Sequence, residues 1–170
     1  MSARRWVIAH TRRYHGLGNR VRAVLGARTL ARWEDREFAY VWQVNRDFGA
    51  SLSDLWQVPD RRIPAALSRA LAVRYPFHDH DAAGWVDDAA RRERVWQIRT
   101  PHALLLPGGA PSWTDELRSL APAPAIEEEV SRFHRAHLAG SPYVGVMMRT
   151  HPHSHAETLE ASPVEWYVGR

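Results

Sequence analysis

Cysteine and lysine are both absent from the 170 residues. Without cysteine the chain has no disulfide, no thiol nucleophile and no thiolate metal site, which is typical of proteins in a reducing compartment. Without lysine, Schiff-base chemistry and the phosphate loops that need a lysine are excluded. All 23 basic residues are therefore arginines, whose planar guanidinium groups suit carboxylates and phosphates.

Long apolar runs are absent as well. No stretch approaches the ~20 residues of a membrane-spanning helix. The apolar residues 6–9, which follow Arg5, are too few for the core of a secretory signal. We therefore expect a cytoplasmic protein with no transmembrane segment. The length, with 45% hydrophobic and 25% charged residues, predicts one globular domain, or one domain and the beginning of a second.

The positive charge is concentrated near the N-terminus. Residues 1–36 carry a net charge of +7, whereas the remaining residues carry −3. Such a segment can bind nucleic acid or a phosphorylated ligand, or it can be a solvated surface. The eight tryptophans are explained better by packing than by base stacking, because the basic residues do not follow a stripe with interleaved aromatics. We therefore expect no nucleic-acid partner.

The first 42 residues predict a βαβ unit. Residues 6–10 form a short apolar run, residues 16–20 a glycine-containing loop, residues 19–33 a helix, and residues 38–42 a second apolar run. Small residues recur on one face of that helix, which favours close packing on a sheet. Since βαβ connections join parallel strands, we expect an α/β domain with a Rossmann-like parallel sheet and flanking helices.

The rest of the chain predicts further elements of the same kind, although residues 76–94 match no pattern. We expect strands at residues 95–98 and 103–106 and a strand at 143–148 that is apolar on both faces. Helices are expected at residues 51–56, 64–74, 114–120 and 126–137, and a helix begins after Ser162. We therefore place a first domain at residues 1–140 and the beginning of a second, largely missing domain at residues 141–170.

Two features are candidates for binding an anion. The loop Gly16-Leu17-Gly18-Asn19-Arg20 joins a strand to a helix N-terminus, where glycines let a ligand approach and free N–H groups face it. Val21 stands where the dinucleotide fingerprint has its third glycine, so a simple tight turn is the alternative. Arg149 ends the predicted strand 143–148, where open α/β sheets bind ligands; an ion pair with a nearby carboxylate is its alternative.

The histidine-rich segments 78–81 and 151–155 suggest a metal site at first sight. Their alternating spacing lacks the i, i+4 geometry of helical metal sites, and Pro152 stiffens the second segment. We interpret both as polar loops and predict neither a metal site nor a cofactor.

Three blocks in this order resemble the fucosyltransferase-like glycosyltransferases, which include the nodulation and protein O-fucosyltransferases. The blocks are residues 16–20, Phe48-Gly49-Ala50-Ser51-Leu52-Ser53-Asp54-Leu55, and Tyr143-Val144-Gly145-Val146-Met147-Met148-Arg149. The resemblance implies two Rossmann-like domains facing a cleft (the GT-B arrangement) and metal-independent transfer of fucose from GDP-fucose. The family's motif histidine is replaced by Met147, and the charged residues after the arginine are replaced by Thr150-His151-Pro152.

The resemblance also implies roles for single residues. Arg149 matches the arginine that contacts the donor diphosphate, and Asn19 matches the loop asparagine near the sugar and the acceptor. Gly16, Gly18 and Arg20 would contribute to substrate binding. The implied partners are GDP-fucose and a glycan or peptide acceptor, and an incomplete second domain would favour self-association. The alternative function is a non-catalytic α/β remnant or a partner-binding domain.

Overall fold

The fold is described from a computed structural model, which covers residues 4–46, 48–79, 91–106, 109–140, 142–145 and 160. The chain divides into two compact units, Met1–Glu128 and Glu129–Arg170. Among the helices that the structure describes, none is long and apolar enough to span a bilayer.

The predicted βαβ unit is confirmed. Strand β1 covers Trp6–His10, helix α1 covers Leu17–Trp33, and strand β2 covers Glu37–Val41. The two strands pair in parallel, with Trp6 opposite Glu37. Small side chains on α1 let it pack closely on the sheet, and the face that periodicity predicts is buried, comprising Val21, Val24, Ala27 and Ala31.

The five strands form one parallel sheet in the order β3-β2-β1-β5-β4. Strand β3 covers Arg61–Arg62, β4 covers Phe77–Asp79, and β5 covers Val95–Arg99. The predicted α/β class with a parallel sheet and flanking helices is therefore correct. Because β1 has β2 on one side and β5 on the other, the strand order reverses at β1. In open α/β sheets, ligands bind outside the carboxyl ends of the strands at such a switch point.

In the part of the chain that the structure describes, four further helices follow the strands. Helix α2 covers Leu52–Leu55, α3 covers Ala65–Leu71, α4 covers Trp113–Ser119, and α5 covers Pro124–Phe133. A π-helical segment, His134–Leu138, continues α5. The capping boxes at Ser51 and Ser112 set the starts of α2 and α4.

Two apolar clusters cover the two faces of the sheet. The larger lies on the α1 side and includes Trp42 and Trp96, which are 2% and 0% exposed. The smaller comprises Ile8, Ala39, Val41, Ile63 and Val95. Burial of Trp42 and Trp96 supports the interpretation of these two tryptophans as packing residues.

A buried ion-pair network fastens α1 to its surroundings. Arg28 Nε lies 2.9 Å from Asp60 Oδ2, and Arg28 Nη1 lies 3.2 Å from Glu116 Oε2. Arg32 reaches the other oxygen of Glu116 at 2.6 Å. The Arg28 and Glu116 side chains are only 8% and 6% exposed, so each charge depends on its partner for compensation.

Three sequence predictions differ from the structure. Residues 103–106 do not join the five-stranded sheet; Leu104 instead is buried against Gly26 of α1, whereas Leu105 is exposed. Strand β4 falls in the segment where no element was predicted. The described part of the predicted strand 143–148, residues 143–145, is not a strand, and Tyr143 and Val144 are exposed. Residues 146–148 and the helix predicted after Ser162 lie outside the described residues.

The helix predicted at residues 126–137 is present as α5 and the π-helical segment, but it buries no apolar face. Val130 and Phe133 are 62% and 55% exposed, and α5 buries none of its residues. The helix is amphipathic in sequence, and its apolar side chains lie on an uncovered surface.

Candidate functional site

The glycine loop lies at the carboxyl end of β1 and opens α1. Gly16 is the N-cap residue, with φ −68° and ψ 170°, and no side chain caps the helix. Neither Gly16 nor Gly18 has a left-handed backbone, and a Cβ added at either would meet nothing within 4 Å. The tight-turn explanation of these glycines therefore has no support in the backbone. What they leave is open space where a side chain would otherwise lie, at the N-terminus of α1.

Arg20 is fully buried behind this loop. Its Nε donates to the carbonyl oxygen of His15 at 2.6 Å, and Nη2 donates to that of Arg13 at 2.9 Å. Nη1 donates to the carbonyl oxygen of Gln43, and the guanidinium lies over the rings of Trp42 and Phe48. Burial lowers the pKa of Arg20. These contacts hold the loop in shape, and direct binding of a substrate by Arg20 stays a prediction.

Asn19 lines a cavity of about 250 Å³ next to the loop. Its Oδ1 accepts a hydrogen bond from Arg22. The cavity sits at the carboxyl ends of β1, β4 and β5, where the strand order reverses. Its other lining residues are Arg12, Tyr14, His15, Asp79, Arg99 and Pro101.

A carboxylate between two guanidinium groups dominates the charge of this cavity. Asp79, at the end of β4, accepts hydrogen bonds from Nε and Nη2 of Arg99, at the end of β5. Arg12, two residues after β1, donates to the same carboxylate from Nη2 at 2.9 Å. The hydrogen bond from Arg99 is the main cause that lowers the pKa of Asp79, and Arg12 adds to it.

None of these three charged residues was predicted from the sequence. Arg99 had a usable signal, because it ends a buried apolar strand just as Arg149 ends a predicted one. Arg12 and Asp79 had none, since their meeting depends on the strand order of the sheet.

Next to the cavity, a polar network links β1, α3 and β5. The Nδ1 of His10 lies 2.9 Å from Ser68 Oγ, which donates to Gln97 Oε1 at 2.6 Å. Gln97 in turn donates to the carbonyl oxygen of Tyr75 at 2.8 Å. Because Ser68 donates to Gln97, its oxygen accepts the proton of His10 Nδ1. The second ring nitrogen, Nε2, lies 3.5 Å from the amide nitrogen of Gln43, an arrangement that suits a neutral ring with no proton on Nε2.

Both buried histidines of the site favour the neutral form. Burial, with Arg99, Arg69 and Arg12, lowers the pKa of His10 to about 4, whereas Asp79 opposes this effect. Burial, with Arg12, Arg20 and His102, lowers the pKa of His15 to about 4. At neutral pH the site therefore holds uncharged imidazoles beside fixed guanidinium groups.

The arginines of residues 1–36 are largely occupied within the chain. Arg4 pairs with Glu37, Arg28 and Arg32 pair with the carboxylates described above, and Arg36 donates to the carbonyl oxygen of Glu93 at 2.9 Å. Part of the N-terminal positive charge is thus paired within the chain, and the charge excess does not by itself indicate nucleic-acid binding.

The remaining predicted site residue, Arg149, lies outside the described residues, as do Met147 and the histidines of residues 151–155. Across the described ranges, no three histidine, aspartate or glutamate side chains converge in a way that could hold a metal ion. The predicted absence of a metal site stays a prediction.

Comparisons with known proteins bear on the fold. No family model matches the chain, and no curated protein matches it. Among solved structures, the chain is similar to an arginine-to-lysine variant of Arabidopsis thaliana FUT1 in complex with GDP, with a TM-score of 0.51 and 13% sequence identity. The match covers 98% of this chain and 49% of FUT1, so the chain spans about half the length of that protein. The likeness is one of fold alone, between this chain and about half of a fucosyltransferase structure.

Proposed function

We propose that this chain is the glycine-loop domain of a glycosyltransferase of the fucosyltransferase type. It presents residues 16–20 to a nucleotide-sugar donor, GDP-fucose, which is transferred to the hydroxyl group of a glycan or peptide acceptor. The observation that carries the proposal is the open space at Gly16 and Gly18. Neither a left-handed backbone nor a close contact requires glycine at these two positions. The likeness to a GDP complex of FUT1 supports the class of ligand.

The role proposed for the loop is electrostatic. The first N–H groups of α1 are uncapped by any side chain, and the first turn carries no acidic residue. A helix N-terminus of this kind attracts an anion. Stabilising charge on the leaving phosphate by one well-placed donor can contribute about 3–4 kcal/mol to catalysis. Asn19, at the edge of the cavity, is proposed to contact the sugar or the acceptor.

The division of the chain belongs to the same proposal. Residues 1–140 would be the first Rossmann-like domain, and residues 141–170, with Arg149, the beginning of the donor-binding domain of a GT-B enzyme. Exposed apolar side chains such as Tyr143 and Val144 favour self-association of the isolated chain, which light scattering on a size-exclusion column would detect.

Calorimetric titration with GDP and GDP-fucose tests the proposal. We expect binding that weakens at least fivefold in Gly16→Val and Gly18→Val, because the added side chains fill the space that the ligand needs. Ala125→Val, which adds the same kind of bulk at an exposed position of α5, is the matched control and should bind as the parent does. Unchanged affinity for GDP and GDP-fucose in both glycine variants would contradict the role of the loop.

The second candidate function is a non-catalytic α/β domain that binds a partner protein. The observation in its favour is the exposed apolar face of α5, with Val130 and Phe133. This candidate gains support if neither GDP nor GDP-fucose produces measurable heat of binding while the glycine variants fold normally.

A further inference from the structure

We propose that Arg12 and Arg99 form a phosphoryl-binding site that the carboxylate of Asp79 occupies in the free protein and that a diphosphate displaces. The inference rests on the proposed function, since it names the residues that would hold the phosphates of a nucleotide. In this proposal, the carboxylate of Asp79, at the edge of the sheet, competes with the ligand for the two guanidinium groups.

The first support is the direction from which the two guanidinium groups approach. Arg12 follows β1 and Arg99 ends β5, and these neighbouring parallel strands place both side chains on one carboxylate at the switch point. Arg99 donates through Nε and Nη2 together, which is the forked geometry that arginine uses for phosphate as well as for carboxylate.

The second support is the balance of charge. Among the described residues that line the cavity, Asp79 is the sole acidic side chain, and it faces two arginines. One carboxylate leaves one positive charge uncompensated, and the neighbouring His15 contributes no charge of its own at neutral pH. A diphosphate, with more than one negative charge, would compensate the pair more completely than Asp79 does.

The third support is accessibility. The side chains of Arg99, Arg12 and Asp79 are 28%, 35% and 44% exposed, so a ligand can reach them. Ion pairs this exposed contribute little to stability and exchange readily. The contrast is the Arg28–Glu116 pair, whose side chains are under 10% exposed and which belongs to the core. Asp79 also lies on a three-residue strand that is at the edge of the sheet and, among the described strands, pairs with β5 alone.

Titration with inorganic pyrophosphate, followed by GDP, tests the inference on the full chain. Asp79→Asn should raise the affinity for pyrophosphate at least fivefold, because it removes the competing charge and keeps the shape of the side chain. Arg99→Gln should lower that affinity at least tenfold. The matched control is Glu129→Gln, which removes a negative charge from an exposed pair with Arg132 and should leave the affinity unchanged.

A second measurement covers the case in which a variant fails to fold. In the unsubstituted chain, saturation with pyrophosphate should raise the pKa of Asp79, followed by carboxyl NMR, because the carboxylate loses its guanidinium partners. The inference is overturned if the pKa of Asp79 does not change on saturation with pyrophosphate. It is also overturned if Asp79→Asn folds but binds pyrophosphate no more tightly than the parent chain.

The two proposals fail in different ways. If GDP binds and responds to Gly16→Val but not to Arg99→Gln or Asp79→Asn, the arginine site is wrong and the glycine loop stands. If pyrophosphate binds through Arg12 and Arg99 but GDP binds no more tightly than pyrophosphate, the phosphoryl site stands and the nucleotide-sugar function is wrong.

Discussion

Arg20 donates its Nε hydrogen bond to the carbonyl oxygen of His15, 2.6 Å away, from a side chain that is fully buried. The contact joins the first turn of α1 to the residue just before the glycine loop. With its further hydrogen bonds to the carbonyl oxygens of Arg13 and Gln43, the guanidinium sets the path of the loop from behind. The guanidinium of Arg20 therefore holds the glycine loop in its conformation. A ligand at the loop would contact backbone atoms.

Arg20→Leu should destabilise the protein by about 3 kcal/mol, because it removes the three hydrogen bonds that the buried guanidinium donates to backbone carbonyl oxygens. Urea unfolding followed by circular dichroism measures the loss. Arg118→Ala, at a position whose side chain is 77% exposed, is the control and should change stability by less than about 0.5 kcal/mol. Equal effects of the two substitutions would mean that the carbonyl contacts of Arg20 contribute nothing.

Two glycines of α1 should respond oppositely to alanine. At Gly18 the added Cβ meets nothing within 4 Å, so Gly18→Ala should raise stability by about 0.5 kcal/mol through helix propensity. At Gly26 the Cβ would lie 3.3 Å from Cβ and Cγ of Leu104. Gly26→Ala should therefore give no gain, because displacement of Leu104 offsets the propensity. Urea unfolding of both variants compares them, and a gain at Gly26 as large as that at Gly18 would disprove the close contact.

The central part of the sheet could be predicted because its strands carry their own signal. Residues 6–10, 38–42 and 95–98 are apolar runs, and α1 has small residues at helical spacing. Strands β3 and β4 could not be predicted from the sequence, because Arg61–Arg62 and Phe77–Asp79 are short and mostly polar. Each becomes a strand only by pairing with a neighbour whose position the local sequence does not encode. The apolar residues 103–106 showed the opposite error: they were predicted to form a strand, but Leu104 is buried against α1 without joining the sheet.

The candidate site divides in the same way. The glycine loop was predicted from local pattern, since a strand, a glycine segment and a helix follow one another along the chain. The Arg12–Asp79–Arg99 cluster was not, because its members are up to 87 residues apart and meet through the strand order. Arg20 was expected to face the ligand, and the sequence held no sign that three carbonyl oxygens would take up its donors.

Arg149 carries the part of the proposal that lies outside the described residues. By its match to the family arginine, Arg149→Ala should weaken GDP-fucose transfer by the complete enzyme at least tenfold, or about 1.4 kcal/mol on the barrier. Arg149→Lys should restore little, because a point charge cannot make two parallel hydrogen bonds to a phosphate. Arg132→Ala, at an exposed position, serves as the control. If Arg149→Ala lowers the melting temperature but leaves the kinetics of the folded enzyme intact, the residue forms a structural ion pair.

The two buried histidines should make stability depend on pH. The pKa values of His10 and His15 are about 4 in the folded chain, whereas an unfolded histidine titrates near 6.5. Between these values the unfolded chain binds more protons, so stability is complete above about pH 6.5 and falls as the pH drops toward 4. For His10 the loss reaches about 3 kcal/mol at most, at about 1.4 kcal/mol for each pKa unit.

His10→Gln isolates the contribution of one ring, because the amide can still hydrogen-bond Ser68 and does not titrate. As the pH is lowered, its free energy of unfolding should fall less steeply than that of the parent chain. Urea unfolding at pH 7.5, 6.0 and 4.5 measures both. His134→Gln, at an exposed position, should keep the parent slope. The groups facing His10 are Arg99, Arg69, Arg12 and Asp79, and the carboxylate of Asp79 stays ionised over this range because its own pKa is lowered. A parent slope that survives His10→Gln unchanged would therefore mean that the ring titrates in the folded protein as it does in the unfolded chain, and that the network with Ser68 and Gln97 does not favour its neutral form.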